Sequence, residues 1–249
     1  MQVDEYVAVL REDGERLADA ALIAGLDADV PTCPGWRIRE LLHHTGGVHR
    51  WAAAQVGTGR SEPHTKEEEA GFFPDVADDS LVAWFREGHR ALVGTLAAAD
   101  ETTSCWTFLP APSPLAFWAR RQAHETAIHR ADAESAVAAA PRWDPRFAAD
   151  GVDELLNGFF GHRGRRITAD PAVAIAVSAV DVEAAWTIRL EPGGHRVVPG
   201  VHPADLTLTG PARDLYLLVW NRGGPERLAA RGDLRALDAW RAGATVRWS

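Results

Sequence analysis

The chain contains 249 residues, of which 46% are hydrophobic, and its formal net charge at pH 7 is −9. This length accommodates one large domain or two small ones, and the apolar content is sufficient for a core. The acidic balance argues against a nucleic-acid-binding protein, which usually carries a basic patch, and against adhesion to anionic lipid.

The sequence shows no segment typical of export or membrane insertion. The N-terminal stretch MQVDEYVAVLREDG is polar and acidic, so no secretory signal is predicted. No apolar run approaches the roughly 20 residues that span a bilayer. The two cysteines, Cys33 and Cys105, form neither a C-x-x-C motif nor a disulfide framework. We therefore expect a cytoplasmic protein with no membrane or nucleic-acid partner.

The first two thirds of the chain are predicted to be helical, because apolar residues recur there at helical spacing. Gly14 weakens the first of these helices, and Asp79 or Ser80 is the expected N-cap of the third. A long polar loop is expected at residues 57–77. The predicted helices cover residues 3–26, 37–55, 81–99, 115–138 and 145–162.

The pattern changes after about residue 165. The segments AVAIAVSAV, AAWTIRLEP and ADLTLTG are short, β-branched and bounded by Gly or Pro, which predicts strands. GPARDLYLLVWNR predicts a helix packed on the sheet, and TVRWS a last short strand. We expect the α+β class, with a helical-bundle domain at residues 1–165 and a small α+β domain at residues 170–249.

The stretch RRQAHETAIHRADAE, residues 120–134, begins like a zinc-protease helix, but Ile128 occupies the position of the second histidine. Glu125 and His129 are four residues apart, so they lie on one helix face, one turn apart. His124 and His129 diverge by roughly 140°. Glu125 and His129 are therefore the candidate metal ligands, and His124 is a neighbour. The alternative is an ordinary surface ion pair.

A third ligand is expected from ELLHHTGGVHRW, residues 40–51. His44 falls within the apolar stripe of that helix, three residues after Leu41 and four before Val48. His43 points about 100° away, and His49 is a less favoured alternative. Two imidazole nitrogens and one carboxylate oxygen suit zinc or another borderline ion such as nickel. Three protein ligands leave a coordination position open, which is typical of a catalytic site.

The segments PTCPGWRIRELLHHTGGVHRWAA and RRQAHETAIHRADAE together resemble the mycothiol-dependent maleylpyruvate isomerase family. That family has an N-terminal DinB-like four-helix bundle and a small C-terminal α+β domain, and GPARDLYLLVWNR is similar to the helix of the latter. The family pattern W-x-x-x-x-L-x-x-H falls on Trp36, Leu41 and His44, and its E-x-x-x-H on Glu125 and His129. The resemblance therefore implies a His44, Glu125 and His129 metal centre.

The resemblance also implies a reaction. In the isomerase, a low-molecular-weight thiol adds to the double bond of maleylpyruvate. Rotation about the resulting single bond and loss of the thiol then give fumarylpyruvate. The implied cofactors are a divalent metal, zinc or nickel, and mycothiol or a similar thiol. Arg222 best matches an arginine that helps to bind the anionic substrate, and the alternative is a cation at a helix C-terminus that interacts with the helix dipole.

Two other functions remain open at this point. One is a mycothiol S-transferase that conjugates the thiol to electrophiles, and the other is a non-catalytic, metal-dependent binding or regulatory protein. In either case we expect a monomer or homodimer. Cys33 is interpreted as structural, because nothing nearby in the sequence marks it as an activated nucleophile.

Overall fold

The computed structural model describes residues 1–161 and 167–244. The chain divides into two compact units, Met1–Pro141 and Arg142–Ser249. The first unit is helical, and the second combines a five-stranded sheet with helices. The predicted α+β class, with a helical N-terminal part followed by an α+β part, is confirmed.

Four long helices and one short helix form the described structure of the first unit. Helix α1 packs against α4 and α5, and α2 also packs against α4 and α5. The polar segment between α2 and α4, expected to be a loop, contains the short helix α3. The bounds are α1 Val3–Ala24, α2 Ile38–Gly57, α3 Lys66–Ala70, α4 Asp78–Ala98 and α5 Pro114–Ser135.

The helix starts follow local side-chain chemistry. The Ser113 side chain accepts a hydrogen bond from the backbone N–H of Ala116, and Pro114 occupies the first turn of α5, where its missing N–H costs nothing. Helix α4 begins after Ala77, with no side-chain cap. The predicted cap at Asp79 or Ser80 is therefore wrong. Asp79 instead lies in the first turn, where its negative charge interacts favourably with the positive end of the helix dipole.

Glycines inside the helices allow close packing. A Cβ atom on Gly14 would collide with the buried ring of His89, and one on Gly46 would collide with Trp84. Glycine is a poor helix former, but the absence of a side chain at Gly14 lets α4 approach α1. Packing outweighs helix propensity at this position.

The second unit is built on a mixed sheet with the strand order β3-β2-β1-β4-β5. Strand β1 pairs with β4 in parallel, and the other neighbours are antiparallel. The strands are β1 Val173–Ala179, β2 Ala185–Glu191, β3 Gly194–Pro199, β4 Leu206–Gly210 and β5 Ala229–Gly232. The helices are α6 Pro145–Asp153, continued by a π-helical segment at Glu154–Phe159, α7 Ala212–Val219 and α8 Ala236–Gly243.

Of the four strands and one helix predicted for this part of the chain, the first three strands and the helix correspond to β1, β2, β4 and α7. Strands β3 and β5 and helix α8 were not predicted. The segment TVRWS, expected to be a strand, lies outside the described residues.

Helix α6 belongs with the sheet, whereas the sequence pattern assigns it to the helical domain that ends near residue 165. Its residue Phe147 contacts Tyr216 of α7, with ring centroids 6.4 Å apart, and Trp143 just before α6 lies 5.3 Å from the same ring. These are tertiary contacts, which helical periodicity does not reveal.

Among the described residues, no helix combines the length and the apolar character that crossing a bilayer would require.

Candidate metal centre

Helix α5 is buried on all sides although its sequence is polar. Its side chains Arg121, Glu125, His129, Arg130 and Asp132 belong to residues that are at most 7% exposed. Charged groups are rarely buried to this extent unless they are paired or bind a metal. The helix therefore concentrates the buried charge of the first unit.

The three predicted ligands converge between α2 and α5. One ligand atom from each of His44, Glu125 and His129 lies within 4.8 Å of the other two. Oε1 of Glu125 is 3.2 Å from Nε2 of His129 and 3.5 Å from Nε2 of His44. The two imidazole rings stand nearly perpendicular, with centroids 5.1 Å apart. A single carboxylate oxygen thus faces two imidazole nitrogens.

These side chains fit a divalent metal ion. Nε2 of His44 is buried and makes no hydrogen bond, which is unusual for a buried polar atom. It points at the same carboxylate oxygen as Nε2 of His129, so an ion among the three atoms would satisfy it. The nitrogen and oxygen donors match those that zinc and nickel accept.

Two further charged side chains hold the candidate ligands in place. Nδ1 of His129 lies 3.0 Å from Oδ2 of Asp132, and Nη2 of Arg121 donates to Oε2 of Glu125 at 2.8 Å. With Nδ1 engaged by Asp132, Nε2 is the nitrogen of His129 that faces Oε1 of Glu125 and would act as the ligand atom. Arg121 likewise engages one oxygen of Glu125 and leaves Oε1 directed at the histidines.

The ionisation of Glu125 and His129 in the metal-free protein reflects these contacts. Burial alone would raise the pKa of Glu125, but hydrogen bonding from His129, the nearby His44 and the charge of Arg121 hold that pKa well below its ordinary value. Burial alone would lower the pKa of His129, but hydrogen bonds to Asp132 and Glu125 raise it to about 9. The carboxylate is therefore kept in the charged form that binds metal.

An aromatic side chain borders the two histidines. The Trp36 ring lies 5.1 Å from that of His44, edge on, and 6.3 Å from that of His129, nearly parallel. Trp36 stands just before α2, in the connection from α1. Its ring therefore lines this side of the two candidate ligands.

The remaining histidines of these segments lie elsewhere. His43 stacks on Trp84 and its Nε2 lies 2.7 Å from the carbonyl oxygen of Pro74. His124 is fully buried against Tyr6. His49, the less favoured alternative ligand, is also fully buried. In the described residues, the metal-ligand cluster contains none of these three.

Arg222 lies in the second unit, after the end of α7. Asn221 has a positive φ of 57°, and the backbone N–H of Arg222 donates to the carbonyl oxygen of Leu217 at 2.7 Å, which closes the helix end. Nη1 of the Arg222 side chain also donates to the carbonyl oxygen of Trp220 at 3.1 Å. A contact with substrate stays a prediction.

Sequence reasoning missed the roles of Arg121 and Asp132. A signal was present, because Arg121 precedes Glu125 by four residues and Asp132 follows His129 by three, which places each pair on one helix face. The sequence does not reveal that this face is buried.

Comparison with known proteins identifies similar domains and folds. The family model described as "Mycothiol maleylpyruvate isomerase N-terminal domain" matches residues 7–134, and that described as "MDMPI C-terminal domain" matches residues 146–239. A crystal structure of the mycothiol-dependent maleylpyruvate isomerase is similar to this chain, with a TM-score of 0.61 and 14% identity over 94% of this chain and 95% of that chain.

The structure of a histidine-to-alanine mutant of the mycothiol-dependent maleylpyruvate isomerase gives a TM-score of 0.62, with 14% identity and the same coverage. At this identity, the similarity to both structures shows a common fold. No curated protein matches the sequence.

Proposed function

The chain belongs to the mycothiol-dependent maleylpyruvate isomerase family, and we propose that it is a metal-dependent enzyme that uses mycothiol or a similar low-molecular-weight thiol. The observation that carries the proposal is the convergence of His44, Glu125 and His129 within 4.8 Å. These residues would hold zinc, or alternatively nickel, with at least one coordination position left open.

The reaction we favour is the isomerisation of maleylpyruvate to fumarylpyruvate. The thiol sulfur forms a bond to one carbon of the activated double bond, and a proton is added at the neighbouring carbon. After rotation about the new single bond, that proton is removed and the carbon–sulfur bond breaks, which returns the thiol. A divalent ion would supply Lewis acidity towards the thiol or the substrate's carbonyl groups.

The chain's own side chains prepare this chemistry. Asp132 fixes the orientation of the His129 ring, and Arg121 holds Glu125 ionised with one oxygen directed at the histidines. Trp36 covers the adjoining side of both histidines. Because these contacts already exist in the protein, the ligands need little reorganisation when ion and substrate bind.

We assign Arg222 to substrate binding, because a guanidinium pairs with a planar carboxylate through two parallel hydrogen bonds. Arg222→Lys keeps the charge but loses this geometry. We expect both Arg222→Lys and Arg222→Ala to raise KM for the anionic substrate while metal content stays unchanged. An unchanged KM in both variants would favour a purely helix-terminal role.

A cytoplasmic location is part of the proposal. The free thiols of Cys33 and Cys105 are compatible with a reducing compartment.

Turnover assays with metal-loaded protein test the function. Maleylpyruvate should lose its absorbance in the presence of thiol far below the substrate concentration, because an isomerase regenerates its thiol. If the thiol is instead consumed in proportion to an electrophile such as a bimane, the protein is an S-transferase. If calorimetry with mycothiol shows no heat, a non-catalytic binding protein is supported and the proposal fails. His44→Ala serves as the inactive control.

A further inference from the structure

The connection between α1 and α2 reaches the candidate metal centre through two adjacent side chains. Oγ1 of Thr32 donates to Oδ1 of Asp132 at 2.6 Å, and Sγ of Cys33 donates to Oδ2 of Asp132 at 3.3 Å. Oδ2 is also the oxygen that lies 3.0 Å from Nδ1 of His129. Both oxygens of one buried carboxylate thus contact the connection, and one of them contacts a candidate ligand.

This connection is held in shape by its own backbone. The N–H of Val30 donates to the carbonyl oxygen of Trp36 at 2.9 Å, that of Cys33 donates to Val30 at 2.9 Å, and that of Trp36 donates to Cys33 at 3.0 Å. Residues 30–36, which we call the site loop, therefore present Thr32 and Cys33 in a fixed arrangement. The loop ends at Trp36, whose ring contacts the rings of both histidine ligands.

We propose that Thr32 and Cys33 are positioning residues for the metal ligand His129 and act through Asp132. Asp132 is completely buried, so its carboxylate adopts the orientation that satisfies its hydrogen bonds. The two donors of the site loop set that orientation, and the carboxylate in turn directs Nε2 of His129 towards Glu125. Cys33 acts here as a hydrogen-bond donor and takes no part as a nucleophile.

This inference rests on the proposed metal function, and metal affinity tests it. Thr32→Val removes the hydroxyl with little change in shape, and Cys33→Ala removes the thiol. We expect the double variant to bind Zn²⁺ about 10–100-fold more weakly in a chelator competition, as is typical when an outer partner of a metal ligand is lost. We also expect a changed visible spectrum of the Co²⁺-substituted protein.

Two controls separate positioning from general damage to the fold. Cys33→Ser in the otherwise wild-type protein keeps a donor at both positions, so its affinity and its Co²⁺ spectrum should stay close to those of the wild type. Cys105→Ala removes the second thiol of the unit, which is buried, and the affinity of this variant should equal that of the wild type. A folded double variant with wild-type affinity and an unchanged Co²⁺ spectrum would overturn the inference.

A metal-free crystal structure of the double variant keeps this test independent of the proposed function. If Thr32 and Cys33 position His129, the distance from its Nε2 to Oε1 of Glu125 should change from the 3.2 Å of the wild type. An unmoved His129 ring contradicts the inference. If the wild type binds no metal at all, the proposed function fails, while this structure still decides whether the loop positions the ring.

Discussion

Two buried histidine clusters of the helical unit differ in their charged partners. The first cluster joins His44 of α2 to His129 of α5, and Oε1 of Glu125 faces both rings. A second carboxylate, that of Asp132, lies at the far nitrogen of His129. Although burial opposes protonation, these carboxylates raise the pKa of His129 to about 9.

The second cluster joins His49 of α2 to His89 of α4, with ring centroids 5.6 Å apart. Here the partners are neutral: Nε2 of His49 lies 2.8 Å from Oγ1 of Thr126, and Nε2 of His89 lies 3.0 Å from the carbonyl oxygen of Leu10. Glu15 approaches Nδ1 of His89 only to 4.0 Å. Burial lowers the pKa of both histidines, and for His49 the neighbouring His89 lowers it further.

The comparison shows why residue type alone does not identify a metal site. Both clusters contain two buried imidazoles from facing helices. Among the residues that the structure describes, only the first has a carboxylate at hydrogen-bond distance, and only there do the ligand atoms of three residues converge. The first cluster therefore has the composition of a metal centre, whereas the second is a neutral polar contact within the helix packing.

The largest expected effect comes from removing the carboxylate of the first cluster. Glu125→Leu removes the buried carboxylate that pairs with Arg121, whose side chain is 1% exposed, and with His129. We expect the free energy of unfolding of the metal-free protein to fall by about 3–5 kcal/mol, measured by urea denaturation.

The matched change in the second cluster is His49→Gln. It alters one neutral hydrogen bond to Thr126, so we expect a loss of about 1–2 kcal/mol. If Glu125→Leu and His49→Gln lower the free energy of unfolding equally, the Glu125 carboxylate does not distinguish the two clusters.

An effect smaller than that of Glu125→Leu is expected where the second cluster contacts α1. Gly14→Ala places a methyl group against the buried His89 ring, so the free energy of unfolding should fall by about 1–3 kcal/mol in spite of the better helix propensity of alanine. Gly94→Ala in α4 is the control, because nothing lies within 4 Å of its Cβ position. That change should stabilise the protein by about 0.5–1 kcal/mol. If both substitutions stabilise the protein, the proposed close contact at His89 is wrong.

The smallest effect concerns pH. Because the pKa of His89 is lowered in the folded protein, the unfolded chain binds more protons just below the ordinary histidine pKa of about 6.5. The free energy of unfolding therefore includes the full contribution of His89 above that pH. It declines as the pH falls, by at most about 1.4 kcal/mol per pH unit for one proton. His89→Gln should flatten the decline between about pH 5.5 and 7, as followed by urea denaturation at several pH values. If the free energy of unfolding declines equally steeply with falling pH in the wild type and in His89→Gln, His89 is not a neutral, buried histidine.

Part of the candidate site follows from helical spacing alone. Glu125 and His129 are four residues apart, and His44 falls on the apolar stripe that Leu41 and Val48 define, so their shared orientation is predictable. Asp132 and Thr32 could not be paired in this way, because they are a hundred residues apart in sequence. Their contact depends on how the site loop packs on α5.

The fold was predictable to a similar extent. Strongly periodic helices and the apolar strand β1 were recognised, but β5, Ala229–Gly232, is exposed along its whole length and carries no apolar alternation. The position of α6 depends on contacts of Phe147 with Tyr216. Neither feature leaves a local pattern in the sequence.

The metal content of the purified protein tests the central claim most directly. Elemental analysis of the wild type beside His44→Ala compares an intact ligand set with one that lacks a single imidazole, and loss of one ligand should sharply weaken binding. We predict close to one divalent ion per wild-type chain and far less in His44→Ala. Well under one ion per wild-type chain after loading with zinc or nickel, or equal contents in the two proteins, would contradict the account.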